Sequence, residues 1–115
     1  MAETVRIVNL EAGLPTAEEA LKRLSEAIES AKKDGVKALK IIHGYGSSGV
    51  GGVLRVRVQK SLVNRQNQGK IRSCVFGEMW DSFEDVARKV LDQCPELRRD
   101  SDLNRGNAGI SIVVL

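Results

Sequence analysis

The chain has 115 residues, 42% of them hydrophobic and 29% charged, with 18 basic against 15 acidic side chains. That length supports a single hydrophobic core, and residues 1–115 are read as one domain. No apolar run approaches the roughly 18–20 residues of a membrane span, and MAETVRIVNL lacks the plan of a signal peptide, so the expected location is the cytoplasm. Cys74 and Cys94 stand far apart and outside any CxxC pattern, which favours reduced, inert thiols over a disulfide or a zinc site.

In chain order, Thr4 to Leu10 alternates as a strand, and Glu11 to Pro15 is a turn. Thr16 and Glu19 form a capping box at the start of a helix reaching about Asp34. The apolar stripe of that helix is Ala20, Leu21, Leu24, Ala27, Ile28 and Ala31; Glu–Lys and Glu–Arg pairs at i,i+4 lie on its outer face, and Gly35 is its left-handed cap. Val36–Ile42 is the second strand. A second helix covers about Gly51–Gln66, with Val50, Leu54, Val58 and Leu62 inward. Lys70 to Phe76 opens a third strand that ends near Trp80. Ser82 caps a third helix whose buried stripe is Phe83, Val86, Ala87, Val90, Leu91 and Cys94, and Pro95 ends it. The polar stretch 96–109 is expected as a mobile loop, and Ile110–Leu115 as a buried strand. The order βαβαβ(α)β predicts a two-layer α/β domain, a four-stranded mixed sheet with helices mainly on one face.

Chemistry concentrates between the second strand and the second helix. There His43-Gly44-Tyr45-Gly46-Ser47-Ser48-Gly49 carries the only His and the only Tyr, and Gly44 to Gly52 holds five of the eleven glycines. A glycine-rich turn entering a helix presents backbone N–H groups and the positive helix end, which suits a phosphate. Between Gly35 and Gly77 there are eight bases (Lys37, Lys40, Arg55, Arg57, Lys60, Arg65, Lys70 and Arg72) and no acid, leaving ten bases against fifteen acids elsewhere. A polyanion is the expected partner.

Two familiar phosphate motifs are set aside. Gly44-x-Gly46-x-x-Gly49 has the dinucleotide spacing, but the first acid after it is Glu78, far beyond the ribose-binding position. Val50-Gly51 stands where a Walker A loop needs Lys-Ser or Lys-Thr.

His43-Gly44-Tyr45-Gly46-Ser47-Ser48-Gly49, followed by Gly52-x-Leu54-Arg55-x-x-Val58, resembles the second signature of Smr (small MutS-related) domains. Gly109-Ile110-Ser111-Ile112-Val113 is similar to the closing strand of that family. The resemblance implies a fold like the C-terminal domain of the third bacterial initiation factor, DNA or RNA binding, and the nicking endonuclease activity of several members. The chain departs from the family at its opening, usually Leu-Asp-Leu-His-Gly. Here Asn9 replaces the acid and Glu11 the His. The stretch 81–107 is also longer than the usual connection.

On this reading the phosphate contacts are Gly44, Tyr45, Gly46, Ser47, Ser48 and Gly49, with Lys40, Arg55, Arg57 and Lys60 adding charge. If the domain cleaves, His43 is the candidate for proton transfer. Glu11 is then the candidate base or the ligand of a divalent cation, magnesium or manganese. No metal ligand set is identified. The alternative is a non-catalytic adaptor whose glycine loop takes a protein carboxylate or a small phosphorylated ligand. Parallel strands would bring Asn9 and Glu11 to the edge where His43 lies.

Overall fold

The computed structural model describes residues 3–44 and 51–115. Strand β1 (Val5–Asn9) leads to helix α1 (Ala17–Lys33), β2 (Ala38–Ile42), α2 (Gly51–Asn67), β3 (Ser73–Phe76), α3 (Asp85–Gln93) and β4 (Ile110–Val114). Single 3-10 turns sit at Gly77–Met79 and Pro95–Arg99. The sheet order is β1-β2-β4-β3: β1 and β2 are parallel, and β4 runs antiparallel to both β2 and β3. The predicted mixed four-stranded sheet is what forms.

Local chemistry explains the first half well. The Thr16 side chain accepts the Glu19 N–H at 3.2 Å, its hydroxyl donates to the Glu19 carboxylate at 3.1 Å, and Glu18 and Glu19 face the positive helix end. Gly35 has φ +75°, the left-handed conformation that ends α1. Leu24 and Ile28 of α1 and Leu54, Val58 and Leu62 of α2 pack together on Leu39, Ile41 and Val113, so the two long helices share one sheet face.

The other face carries Ala38, Lys40, Ile42, Val75, Ile110, Ile112 and Val114, because alternate residues of a strand point to opposite sides. The chain after β3 covers part of it. Trp80, Val90, Leu91, Cys94 and Leu97 pack there against Val75, Ile112 and Val114. Stretch 96–109, expected as a mobile loop, contains the fully buried Leu97 and several hydrogen bonds. Asn104 N–H donates to Trp80 O at 2.9 Å, and the Asn104 side-chain oxygen accepts Ser82 N–H at 2.7 Å.

The third helix differs from its sequence pattern at its start. It begins at Asp85 after Glu84, and Ser82 does not cap it. Asp81 Oδ1 takes the Phe83 N–H at 2.8 Å in a local side-chain turn, which leaves Phe83 outside the helix and 87% exposed. Val86 is also exposed; Ala87, Val90, Leu91 and Cys94 are buried as the stripe predicts.

These placements can be compared by chemical denaturation. Leu97→Ala should cost about 2–5 kcal/mol, as for other buried large-to-small changes. Phe83→Ser should stay within about 0.5 kcal/mol of wild type. Equal costs would contradict the packing.

Candidate functional site

The C-terminal ends of β1 and β2 reach the same sheet edge because the two strands are parallel, with Asn9 opposite Ile42. Leu10 N–H donates to Ile42 O at 2.8 Å and carries the pairing one residue further. The Asn9 side-chain oxygen accepts the Glu11 N–H at 2.8 Å, a turn that aims Glu11 back over the edge. There the carboxylate lies against Gly44. A Cβ at position 44 would collide with it, and Gly44 has φ +77°. Both constraints require glycine. Glu11 and the His43–Gly44 pair therefore meet, as the parallel-strand argument expects.

The structure gives His43 an internal role. Its ring is fully buried. Nδ1 lies 2.8 Å from the Gly44 carbonyl oxygen, and Nε2 lies 2.9 Å from Ser111 Oγ on β4. A carbonyl can only accept, so Nδ1 carries the proton and Nε2 accepts from the serine hydroxyl. Burial lowers the pKa of His43 below its ordinary value, and the nearby Arg55 adds to this. The contact with the Gly44 carbonyl and the charges of Glu78 and Glu11 oppose the shift without reversing it. A neutral ring with both nitrogens engaged holds the start of the glycine-rich segment on β4. It is not placed to exchange a proton with a substrate, the role its sequence position suggested.

The backbone at this point is equally committed. The Gly109 carbonyl accepts the N–H groups of both His43 and Gly44 at 3.0 Å. Gly44 N–H is therefore not free for a phosphate, contrary to the expectation from the motif. Tyr45, Gly46, Ser47, Ser48 and Gly49 lie outside the described residues. Gly109, just before β4, and Ser111 on it anchor the site; the sequence marked both as part of the closing strand and not as site residues. The signal for Ser111 was its lone hydroxyl in the otherwise apolar run Ile110–Leu115.

The charged candidates separate on folding. Lys40 is buried and points to the face covered by the chain after β3, where its ammonium meets Asp100 at 2.8 Å and Asp102 at 2.6 Å. Burial acts to lower its pKa, but the hydrogen bonds to the two aspartates outweigh burial and raise it. The Lys40 contact holds the Asp102 carboxyl below its ordinary value, and Asn107 reinforces the effect. With its charge neutralised, Lys40 does not serve as the phosphate contact expected of it. Arg55 reaches Glu78 at 3.4 Å, and Gln59 donates to the same carboxylate at 3.2 Å. Arg57 pairs with Glu18 at 3.1 Å across the two helices. Lys60 is exposed and makes no ion pair among the described residues.

A pocket of about 240 Å³ opens beside this edge, lined by Glu11, Gly44, Ile42, Lys40, Asp102 and Asn107 among others. Among the described residues no three metal-ligating side chains converge. No step is assigned to a divalent ion. No helix among the described residues is long and apolar enough to cross a membrane.

Fold and edge together define a small α/β domain in which a strand, a glycine-rich segment and a helix follow the C-terminal end of a parallel strand pair. The model of the Smr domain family matches residues 13–79, more than half of the chain, and the chain belongs to that family. Among solved structures it is similar to the crystal structure of the Smr domain of Thermus thermophilus MutS2, at 21% identity over 96% of each chain and a TM-score of 0.59. At that identity the likeness concerns the fold. No curated protein matches the chain.

Two measurements check this site. As the only histidine, His43 gives a single imidazole NMR titration, and its midpoint should fall below 6.5. The unfolded chain then takes up a proton first as pH drops through 6.5, so stability falls from there until the folded ring itself titrates. A midpoint at or above 6.5 would mean that the ring is solvated. Separately, Lys40→Met leaves two inward carboxylates without their cation and should cost about 3–5 kcal/mol at neutral pH. The depressed pKa of Asp102 makes its contribution complete above the ordinary carboxylate range and lost as pH falls through its folded value, below about pH 4. In urea titrations the gap between wild type and variant should therefore narrow in acid.

Proposed function

We propose that this Smr domain binds nucleic acid through the phosphodiester backbone. Residues 45–49 anchor a phosphate at the entrance to α2, and the bases of that helix, Arg55, Arg57 and Lys60, supply attraction, Lys60 without a carboxylate partner among the described residues. The observation that carries the reading is the basic surface of α2, which follows the glycine-rich segment directly and on which Lys60 is exposed without an ion pair among the described residues. The meeting of Glu11 with Gly44 at the end of the β1–β2 pair adds an exposed carboxylate beside that segment, a group suited to chemistry and not to phosphate affinity. Membership of the Smr family supports the same reading.

Within this reading, the residue for any phosphodiester hydrolysis is Glu11, which is exposed and can accept a proton from an attacking water. His43 acts as a positioning residue, through Gly44 and Ser111. A binding module without cleavage is the second reading, and the burial of both His43 nitrogens favours it.

The test incubates the domain with supercoiled DNA and with structured RNA, with and without magnesium, and measures binding across a salt series. Binding should weaken steeply with salt, by about 0.9 log units per log unit of salt for each phosphate contacted on a duplex. Glu11→Gln should retain binding, and it should abolish nicking wherever the wild type nicks. Salt-insensitive, saturable binding of one small phosphorylated ligand, with no affinity for either nucleic acid, would replace this reading with that of a ligand-binding adaptor.

A further inference from the structure

The bases of α2 face two ways, and the side turned toward α1 forms a surface of its own. A groove of about 730 Å³ runs between the helices; five of its twelve lining residues are basic (Lys32, Arg57, Lys60, Arg65 and Lys70) and one, Glu29, is acidic. We propose that this groove is a second phosphodiester-backbone site, distinct from the glycine-rich segment, and that it takes one strand of a nucleic-acid duplex. The proposal rests on the nucleic-acid reading above and locates its electrostatic contact.

Charge supports this first. Near the β1–β2 edge the cations are answered by carboxylates: Lys40 by Asp100 and Asp102, and Arg55 by Glu78. In the groove only Arg57 has such a partner, Glu18; Lys32, Lys60, Arg65 and Lys70 make no ion pair among the described residues. Of the eight bases between Gly35 and Gly77, folding leaves Lys60, Arg65, Lys70 and Arg72 without an ion pair among the described residues, and all but Arg72 lie between the helices.

Geometry supports it second. Arg57, Lys60, Ser61, Asn64 and Arg65 lie on one face of α2 at three- and four-residue spacings (57–60–64 and 57–61–65), and Gln68 follows just past its end. From 57 to 65 the stripe is roughly 12 Å long at 1.5 Å per residue, matching about three or four nucleotides of one strand at 3.4 Å rise. The walls are tied together. Arg65 donates to Ser25 of α1 at 2.5 Å and to Ser61 at 3.4 Å, and the Lys32 ammonium donates to the Lys70 carbonyl. The cations are thereby held on both sides of one channel. Among the described residues no aromatic side chain lines it, which favours contact with backbone charge over stacking of unpaired bases.

The test compares Lys32→Glu/Lys70→Glu with Lys89→Glu/Arg98→Glu, an equal charge change at exposed sites outside the groove. Fluorescence anisotropy with a short duplex, DNA in one arm and RNA of the same sequence in the other, gives affinity and salt slope. Circular dichroism verifies folding, and Lys32→Gln/Lys70→Gln is a milder form should the reversal unfold. The groove variant should lose at least about tenfold in affinity for whichever duplex binds, and its salt slope should shrink by about two contacts. The control should stay within about twofold of wild type. If both double variants bind alike while wild type binds, the groove proposal fails and the glycine-segment reading stands. Preference for a single strand over the duplex would also overturn the proposal. Absence of binding by the wild type in both arms at low salt would instead remove the nucleic-acid reading itself.

Discussion

An ammonium group in the middle of a sheet has to be neutralised, and the arrangement of the covered face follows from that need. Lys40 sits on β2, with β1 on one side and β4 on the other. Its carboxylate partners come from about sixty residues later in the chain. One cation facing two anions would leave a charge in excess, but the remaining oxygens are also occupied. Asp100 Oδ2 accepts the Trp80 indole N–H at 2.9 Å and the Asp102 N–H at 3.1 Å. Asp102 Oδ1 accepts from Asn107 at 3.1 Å. A buried ionic cluster is tolerable only when satisfied in this way. The requirement fixes the path of the chain from the second 3-10 turn to β4, and with it the seat of Trp80. It also removes Lys40 from the pool of charges that can act outside the protein.

Most of the fold was legible because its signals are local. Thr16, Glu19 and Gly35 bracket α1 by capping chemistry, and Leu54, Val58 and Leu62 turn inward on α2 by period alone. Where the structure departed, the deciding contacts came from a distance or from a competing turn. Phe83 has the right spacing for the α3 stripe, but Asp81 captures its N–H before the helix begins. The sequence between Leu97 and Gly109 looks solvated because its aspartates and asparagines are polar, and nothing local discloses that they serve Lys40, Trp80 and Ser82.

The candidate site was legible in location and less so in roles. Parallel pairing was enough to bring Glu11 to Gly44. The acid-free run of eight bases was a true feature of the sequence, yet it says nothing of acids that fold against it. Glu18, Glu78, Asp100 and Asp102 all arrive from outside that run. A linear charge count therefore overstates the field at the loop and misses its concentration between the helices. His43 shows the same limit: the pattern marks it as chemically special, and only Ser111 and the Gly44 carbonyl reveal that it acts inside the protein.

The position of β4 between β2 and β3 has a kinetic consequence. Ala38 pairs with Val114, so the join that completes the sheet closes a loop of more than seventy residues. The β1–α1–β2 unit can assemble early, from neighbours in sequence. Until β4 arrives, however, β2 offers a bare edge of apolar residues, β3 has no partner, and His43 lacks the serine and carbonyl that seat it. Such a topology favours slow, all-or-none acquisition of structure, with the half-assembled chain most prone to self-association. The edge that brings Glu11 to Gly44 would be among the last features to mature.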